Sequence, residues 1–512
     1  MASPRDSDFL LEMQREIEAL VNSLAHPIVV EDEVELFDLT AARWKLTVEF
    51  GKLLFEAWNA ERSIARRVEA VSFRDRGRIG VFVRKPGGRE TGTLEFRELE
   101  LAEQPAVSRV AIRARYRKEF MALLKREYPG WHFEHVSNRS DLEHSLSTWY
   151  TRGLARQGRT GWAFLGLGEN EPVAAADALL AHGLIWLDLL RARSERLTVP
   201  ALKLFLPPAA VRLNAHRAVC LNSRAAQVEI LEWKTGNDRP ASMDCADFGN
   251  VETGLAPRRQ GELLVEAHTP LLREWAGGSL EPMDLVADPA GHLTSLRVRG
   301  LEVARVEGQI NPQIYFGLEG SWQKLDESNR QDFRRFLKQV LELRAAQSKN
   351  KSHEFYRLQS ERWLESLLLR DITKIDPDLL PQFIYPQVPA FSSLDRGVID
   401  ILGVTRRGRL AVIELKLHEE ISLPIQGLDY WLRVKWLADR HQFQERGYFR
   451  GVELSPAPPL LYLVCPAFRF HSTTERVIRY LDSSIEIIQV GLNDQWREGI
   501  RVLFRRAARD DR

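Results

Sequence analysis

The stretch "RGVIDILGVTRRGRLAVIELKL", residues 396–417, decides how this chain is read. Two apolar runs flank the basic turn "TRRGR", so the segment reads as a β-hairpin. Each run carries an acid where a buried strand ordinarily has none. Side chains alternate faces along a strand. Glu414 and Lys416 therefore share a face with Val412, while Ile413 and Leu415 point to the other. A turn centred near Arg407 sets Asp400 directly across from Glu414. Facing carboxylates repel and are costly to desolvate. A Glu414–Lys416 salt bridge alone leaves Asp400 unexplained. A divalent cation accounts for all three residues, because hard oxygen ligands suit Mg²⁺ or Mn²⁺. Lys416 beside them can hold a water or a phosphate oxygen.

The flanks extend the pattern. "ERWLESLLLRDI" (361–372) reads as an amphipathic helix with Glu361 and Glu365 one turn apart on one face. "LPIQGLDYWLRVKWL" (423–437) reads as a helix in which Gln426 and Tyr430 share a face, with Arg433 near it. Strands follow at "PLLYLVCP" and "IEIIQVGL", with a helix at about 472–481 between them. Asp400 with Glu414-Leu415-Lys416 on a hairpin resembles the catalytic signature of the PD-(D/E)XK nuclease superfamily. Gln426 and Tyr430 resemble the QxxxY element of its helicase-associated exonuclease branch. The order αβββαβ, with a further helix and strand, resembles the superfamily core. The resemblance covers about residues 355–495. Ile399 stands where the family has a proline, a position that is not a ligand.

The resemblance implies a metal-dependent nuclease that hydrolyses phosphodiester bonds, with DNA as the expected substrate. Asp400 and Glu414 would hold Mg²⁺ or Mn²⁺, with the Leu415 carbonyl as an extra ligand. Glu365 would bind a second ion or a water, with Glu361 in reserve. Lys416 would orient the attacking water or help deprotonate it. Gln426 and Tyr430 would support the substrate or the ligands. Trp431, Trp436 and Arg433 can touch DNA, although aromatics at helical spacing are more often core. DNA repair and defence against foreign DNA are both typical of the superfamily.

Residues 105–235 repeat the order of elements. "RTGWAFLGLG" (159–168) parallels "RGRLAVIELK" (407–416), and "ALLAHGLIWLDLLRA" (178–192) parallels the 423–437 helix. In this alignment Gly166 stands at Glu414, Gly168 at Lys416, and the Asp400 equivalent falls near Arg152. A second, nuclease-like α/β domain without its acids is expected. The basic helix "IRARYRKEFMALLKREYPGW" before it carries Arg113, Arg115, Arg117, Lys118, Lys125 and Arg126, which suit phosphate contact. "GLGENEP" lacks the third glycine and the lysine of a phosphate-binding loop.

The remainder bounds the setting. At 512 residues the chain implies two to four domains. Net charge is +1, so any nucleic-acid binding must come from local patches. Cys220, Cys245 and Cys465 are far apart and fit no metal spacing, which agrees with a reducing, cytoplasmic setting. The charged amphipathic pattern at 8–24 is no signal peptide, and no apolar run approaches a membrane span. The expected division is 1–104, a helix and β-rich module; 105–236, the acid-free α/β domain; 237–348, a β-rich connector ending in a helix; and 349–512, the nuclease-like domain. In the first module Arg66, Arg67, Arg74, Arg76, Arg78, Arg84 and Lys85 read as a solvated face before a phosphate-binding one. "ELLVEA" in the connector reads as a strand, and "AAQSKNKSHEF" as a linker. The fold class is thus α/β and multidomain. The competing function is a catalytically inert nucleic-acid-binding or scaffold protein built on the same folds.

Overall fold

Met13, Ile17 and Val21 recur every four residues and give the first helix, α1 (Pro4–Ser23), one buried apolar stripe. In the computed structural model the described residues are 4–508, apart from 25, 32–33, 41, 50–51, 59–62, 76, 85–90, 99–108, 142, 194–196, 237–238, 247–253, 256, 289–292, 309–310, 319–320 and 393–394. Arg76, Lys85 and the boundary expected at 104 lie outside them. The α1 stripe packs on an antiparallel sheet of β1 (Pro27–Glu31), β2 (Val34–Asp38), β3 (Arg43–Glu49), β4 (Lys52–Trp58), β5 (Ser63–Asp75), β6 (Arg78–Arg84) and β7 (Thr91–Glu98). Its order is β2-β1-β7-β6-β5-β4-β3.

The second unit runs α2 (Arg109–Glu127), β8 (His132–Ser137), β9 (Tyr150–Gln157), β10 (Thr160–Leu167), α3 (Val173–Arg193), β11 (Thr198–Leu206), α4 (Pro208–Ala218), β12 (Gln227–Glu232) and β13 (Ala241–Ser242). The connector holds α5 (Arg258–Ala276), β14 (Met283–Ala287), β15 (Leu293–Val298), β16 (Leu301–Glu307), β17 (Gln313–Phe316), β18 (Gln323–Lys324) and α6 (Arg330–Leu343). The last unit holds α7 (Glu354–Arg357), α8 (Ser360–Arg370), β19 (Tyr385–Ser392), β20 (Asp395–Val404), β21 (Leu410–Leu415), α9 (Leu423–Asp439), α10 (Gln442–Glu445), β22 (Leu460–Pro466), α11 (Thr474–Ile478), β23 (Glu486–Leu492) and β24 (Val502–Ala507). The chain is a multidomain α/β protein.

Three expectations change. "ELLVEA" lies inside α5, where Leu264, His268 and Leu272 recur every four residues and are buried; helical period overrides local strand preference. The expected linker is short and clamped. Buried Arg344, just past α6, donates to the Phe355, Leu358 and Gln359 carbonyls at 2.7, 2.6 and 3.2 Å. Finally, α3 is long and apolar enough to cross a membrane by length and composition, yet most of it is buried inside the fold. It lies between its own sheet and the helices of the last unit.

The second and last units share one topology. Their sheets run β13-β12-β11-β10-β9-β8 and β19-β20-β21-β22-β23-β24. In each, the first three strands in chain order are antiparallel, the next two join in parallel, and the sixth returns antiparallel. They pack helix face to helix face into one continuous apolar core that includes Leu184, Ile185, Val211, Leu428, Val434 and Ile478. The contact is self-complementary. Leu221 bridges Leu481, Asn222 N–H donates to the Tyr480 carbonyl at 2.8 Å, and Asp482 N–H donates to the Cys220 carbonyl at 2.8 Å. Residues 220–222 follow α4 as residues 480–482 follow α11. Equivalent segments thus touch each other, the mark of an approximate two-fold axis.

A buried ionic cluster closes this interface. Asp429 of α9 lies 2.8 Å from His216 Nε2 and 3.9 Å from Arg217 of α4, and 3.3 Å from Arg433. Burial alone would raise the Asp429 carboxyl, but His216, Arg217 and Arg433 outweigh it and hold it well below the usual range. Its contribution to stability is therefore present at neutral pH and lost only as pH falls. Asp429→Ala removes the buried carboxylate that His216 and Arg433 share across the interface and is expected to destabilise by about 3–5 kcal/mol. Calorimetric melting at pH 7 checks this; an unchanged Tm would remove the cluster from the account of the interface.

Candidate active site

The β20–β21 ladder pairs Val404 with Leu410, Gly403 with Ala411, Leu402 with Val412 and Ile401 with Ile413. The next step in this register sets Asp400 opposite Glu414, as the hairpin spacing requires. Asp400 Oδ2 accepts from the Leu415 amide at 3.0 Å. Glu414 is 2 % exposed, and its Oε2 is buried without a hydrogen-bond partner. Its Oε1 lies 3.1 Å from Lys416 Nζ. Burial, reinforced by Asp400, pushes the Glu414 carboxyl up to about 8 against the pull of Lys416. Burial lowers the Lys416 ammonium, but Glu414 and Glu361 outweigh it, so the group sits above its ordinary value and stays charged.

Helix α8 supplies the second wall. Glu361 Oε2 is 3.7 Å from Lys416 Nζ, and its Oε1 accepts from the Leu417 amide at 3.4 Å. Glu365 Oε2 accepts from Arg362 Nη1 at 2.8 Å and from Gln387 Nε2 at 2.6 Å. Burial pushes Glu365 up to about 7 against Arg362, with Asp400 adding to the rise. Both α8 acids are thus held by protein groups. Arg362 Nη1 also lies 4.0 Å from Asp400 Oδ1. The sequence reading missed Arg362 and Gln387. The three-residue spacing of Arg362 and Glu365 on a helix was a usable signal for the first; Gln387 carried none. The connector reaches the same wall: the turn at Gly300 (φ +80°) lies so close to α8 that a Cβ there would stand 2.1 Å from the Arg362 carbonyl oxygen.

Helix α9 supplies the third wall, with Pro424 in its first turn. Gln426 Oε1 is a second buried acceptor without a hydrogen-bond partner. Burial, then the charges of Glu414 and Asp400, raise the Tyr430 phenol far above its usual range, so Tyr430 faces the two acids. Trp431 is core, its indole N–H donating to the Pro459 carbonyl at 2.7 Å. Arg433 belongs to the Asp429 cluster and not to a DNA-facing surface.

This donor set suits a hard cation of modest coordination. Among the described residues no three His, Cys, Asp or Glu side chains form a metal-binding group by themselves. Two carboxylates and the Leu415 carbonyl are enough for Mg²⁺, which keeps several waters. The empty-handed Glu414 oxygen is the feature such an ion would satisfy.

The second unit shows what replaces the acids, and it corrects the alignment. Gly183 on α3 presses on Leu202 and Leu204, and Gly427 on α9 presses on Leu461 and Leu463; a Cβ would meet a leucine methyl at 2.9 Å in each. Leu204 pairs with Leu165 as Leu463 pairs with Glu414. Leu165, not Gly166, therefore occupies the Glu414 position, and Leu167, not Gly168, that of Lys416. Gly166 faces α2, where a Cβ would stand 2.7 Å from Phe120 and Tyr116. The hairpin turns differ in length, and a slip of one residue reverses the face. Arg152 pairs with Leu165 and so holds the Asp400 position. It is buried, bonds the Ser147 and Arg139 carbonyls, and lies over the Trp186 ring. On α2, Arg113 is occupied by Glu171 and Thr148, and Arg115 pairs with Glu119, while Arg117, Lys118 and Lys125 are exposed.

No known family model matches this chain, and a search of curated proteins finds no match either.

Because Glu414 titrates higher folded than unfolded, its contribution is full below about pH 4.5 and lost as pH rises through about 8. In chelator, Glu414→Gln is therefore expected to melt at the wild-type temperature at pH 5 and several degrees above it at pH 8.5, at about 2–4 °C per kcal/mol. Mg²⁺ should raise the wild-type Tm and leave that of the variant unchanged. Parallel melting curves across this pH range would remove Glu414 as a strained acid.

Proposed function

We propose that this chain is a metal-dependent nuclease of the PD-(D/E)XK superfamily that hydrolyses phosphodiester bonds of DNA through residues 355–495. The observation that carries the reading is the buried, unpartnered Glu414 Oε2 beside Asp400, with Lys416 at 3.1 Å from the other Glu414 oxygen. Burying two adjacent carboxylates costs stability unless a cation is meant to join them. The order of the last unit, α8, three antiparallel strands, α9 and a parallel strand, supports the same assignment.

Asp400, Glu414 and the Leu415 carbonyl would hold Mg²⁺ or Mn²⁺. The ion would supply charge neutralisation and a water made acidic by ligation. Lys416, kept as an ammonium by its acidic neighbours, would orient the attacking water and offset the charge that develops on the phosphate oxygens. Gln426 offers its free carbonyl oxygen as an acceptor for water or substrate. Glu365, tied to Arg362 and Gln387, shapes the α8 wall. The second unit, with Arg152, Leu165 and Leu167 at the matching positions, has no acids there and serves a role other than chemistry.

The test is incubation with single-stranded, duplex and branched DNA in Mg²⁺, Mn²⁺ or chelator. Cleavage is expected only with metal. Lys416→Ala should slow it roughly 100-fold or more while leaving DNA affinity in place, and Asp400→Asn should also weaken metal binding. Wild-type rates in either variant, or cutting in chelator, would refute the assignment. No cleavage and no metal-dependent rise in Tm would favour an inert nucleic-acid-binding scaffold.

A further inference from the structure

The α8 wall of the candidate site carries two positive charges that the proposed chemistry does not use. Arg362 stands one turn before Glu365, and its Nη1 is within ion-pair reach of two acids at once: Glu365 Oε2 at 2.8 Å and Asp400 Oδ1 at 4.0 Å. Glu365 Oε2 also accepts from Gln387 Nε2 at 2.6 Å. Two protein donors therefore occupy that oxygen. The Arg362 backbone has no room to shift toward the connector, because a Cβ at Gly300 would stand 2.1 Å from its carbonyl oxygen.

The second charge comes from the connector. Leu296 and Val298 of β15 are core, so Arg297 between them points to the opposite face of its sheet. That face meets α8. Arg370 donates to the Pro282 carbonyl at 2.8 Å and lies 3.7 Å from Asp284, the residue paired with Arg297. Arg297 Nε is buried without a hydrogen-bond partner. The charges that act on it most are Glu365, which favours its ionised form, and Arg362, which opposes it. Glu365 is thus attended by two guanidiniums, one shared with Asp400 and one brought by the connector.

In a two-ion site the cations lie about 3.5–4 Å apart and share the substrate's oxygens between them. A second ion here would need Glu365, and would stand against the like charges of Arg362 and Arg297. We propose that Arg362 takes the place of that second cation, so that the site holds one metal ion, on Asp400 and Glu414, and turns a guanidinium toward the substrate phosphate. The Arg362 side chain is 33 % exposed, against 5 % for that of Glu365, so it is open to a substrate. Its Nη1 serves Glu365, and among the described residues its Nε and Nη2 donate to none, which leaves them for phosphate oxygens. A planar fork suits that contact. This role for Arg362 rests on the metal site proposed at Asp400 and Glu414.

The experiment is electron paramagnetic resonance of the full chain titrated with Mn²⁺, counting bound ions. Asp400→Asn with Glu414→Gln gives the baseline for ions held elsewhere. Wild type is expected to hold one ion above that baseline, with the spectrum of an isolated Mn²⁺. Arg362→Ala frees Asp400 and Glu365 of the guanidinium and should hold two, with the spectrum of a spin-coupled pair. Adding Glu365→Gln to Arg362→Ala should restore the count of one, and Arg362→Lys, which keeps the charge, should never lose it. Two ions or a coupled spectrum in wild type would overturn the role of Arg362 and leave the metal site standing. So would an Arg362→Ala variant that melts as wild type does and still holds one ion. Should that variant not fold, the wild-type count decides alone. A wild-type count equal to the baseline would remove the metal site, and the role of Arg362 with it.

Discussion

The constraint on which the rest of the structure depends is the burial of α3 and α9 on both sides. Each helix covers its own sheet with one face and meets the opposite unit with the other. An apolar helix of this kind has no solvent face to spare, so neither unit can shed the other without exposing it. The reciprocal bonds around Leu221 and Leu481 and the ion cluster at Asp429 fix the register of that contact. Apolar area supplies the attraction, and the polar groups, directional and costly when unpaired, select one geometry. Packing of this kind resembles that of a symmetric dimer joined into one chain.

The two halves spend the same architecture differently. In the last unit, the β20–β21 hairpin and α8 bring Asp400, Glu414, Lys416, Glu361 and Glu365 together, and Glu414, Lys416, Glu361 and Glu365 are held away from their ordinary values. Such displaced groups cluster where proteins do chemistry. In the second unit, Leu165 and Leu167 stand at the Glu414 and Lys416 positions, and the buried Arg152 is satisfied by backbone carbonyls. That sheet keeps the scaffold and gives up the electrostatic strain. The connector leans on the last unit through the Gly300 turn and Arg344, so α8, and with it both helix acids, is braced from outside as well as by its own core.

Charge is arranged locally and not globally. A net charge of +1 gives the whole chain no pull on a polyanion. Exposed cations on α2, Arg117, Lys118 and Lys125, concentrate positive charge on one helix. Screening confines each to a reach of about 8–10 Å at cellular salt.

Much of this was legible in residue order. The alternation in 396–417 settled the hairpin, its register and the convergence of Asp400 on Glu414, because strand geometry leaves little freedom once the turn is placed. The helix period settled Glu361 with Glu365 and Gln426 with Tyr430 as pairs. Parallel wording in 159–168 and 407–416 pointed to the repeat, but with turns of different length it could not settle which side of the strand each residue faced; only the ladders and the Gly183 and Gly427 contacts placed Leu165 at the acid's position. "ELLVEA" looked like a strand because its residues suit one, and tertiary burial of Leu264, His268 and Leu272 made it helix. Gln387 on Glu365, Arg344 across the expected linker and His216 on Asp429 had no local signal. Each joins segments distant in sequence or distinct in unit, and a pairing that exists only after the chain has folded is decided by the space between elements, which no short-range pattern encodes.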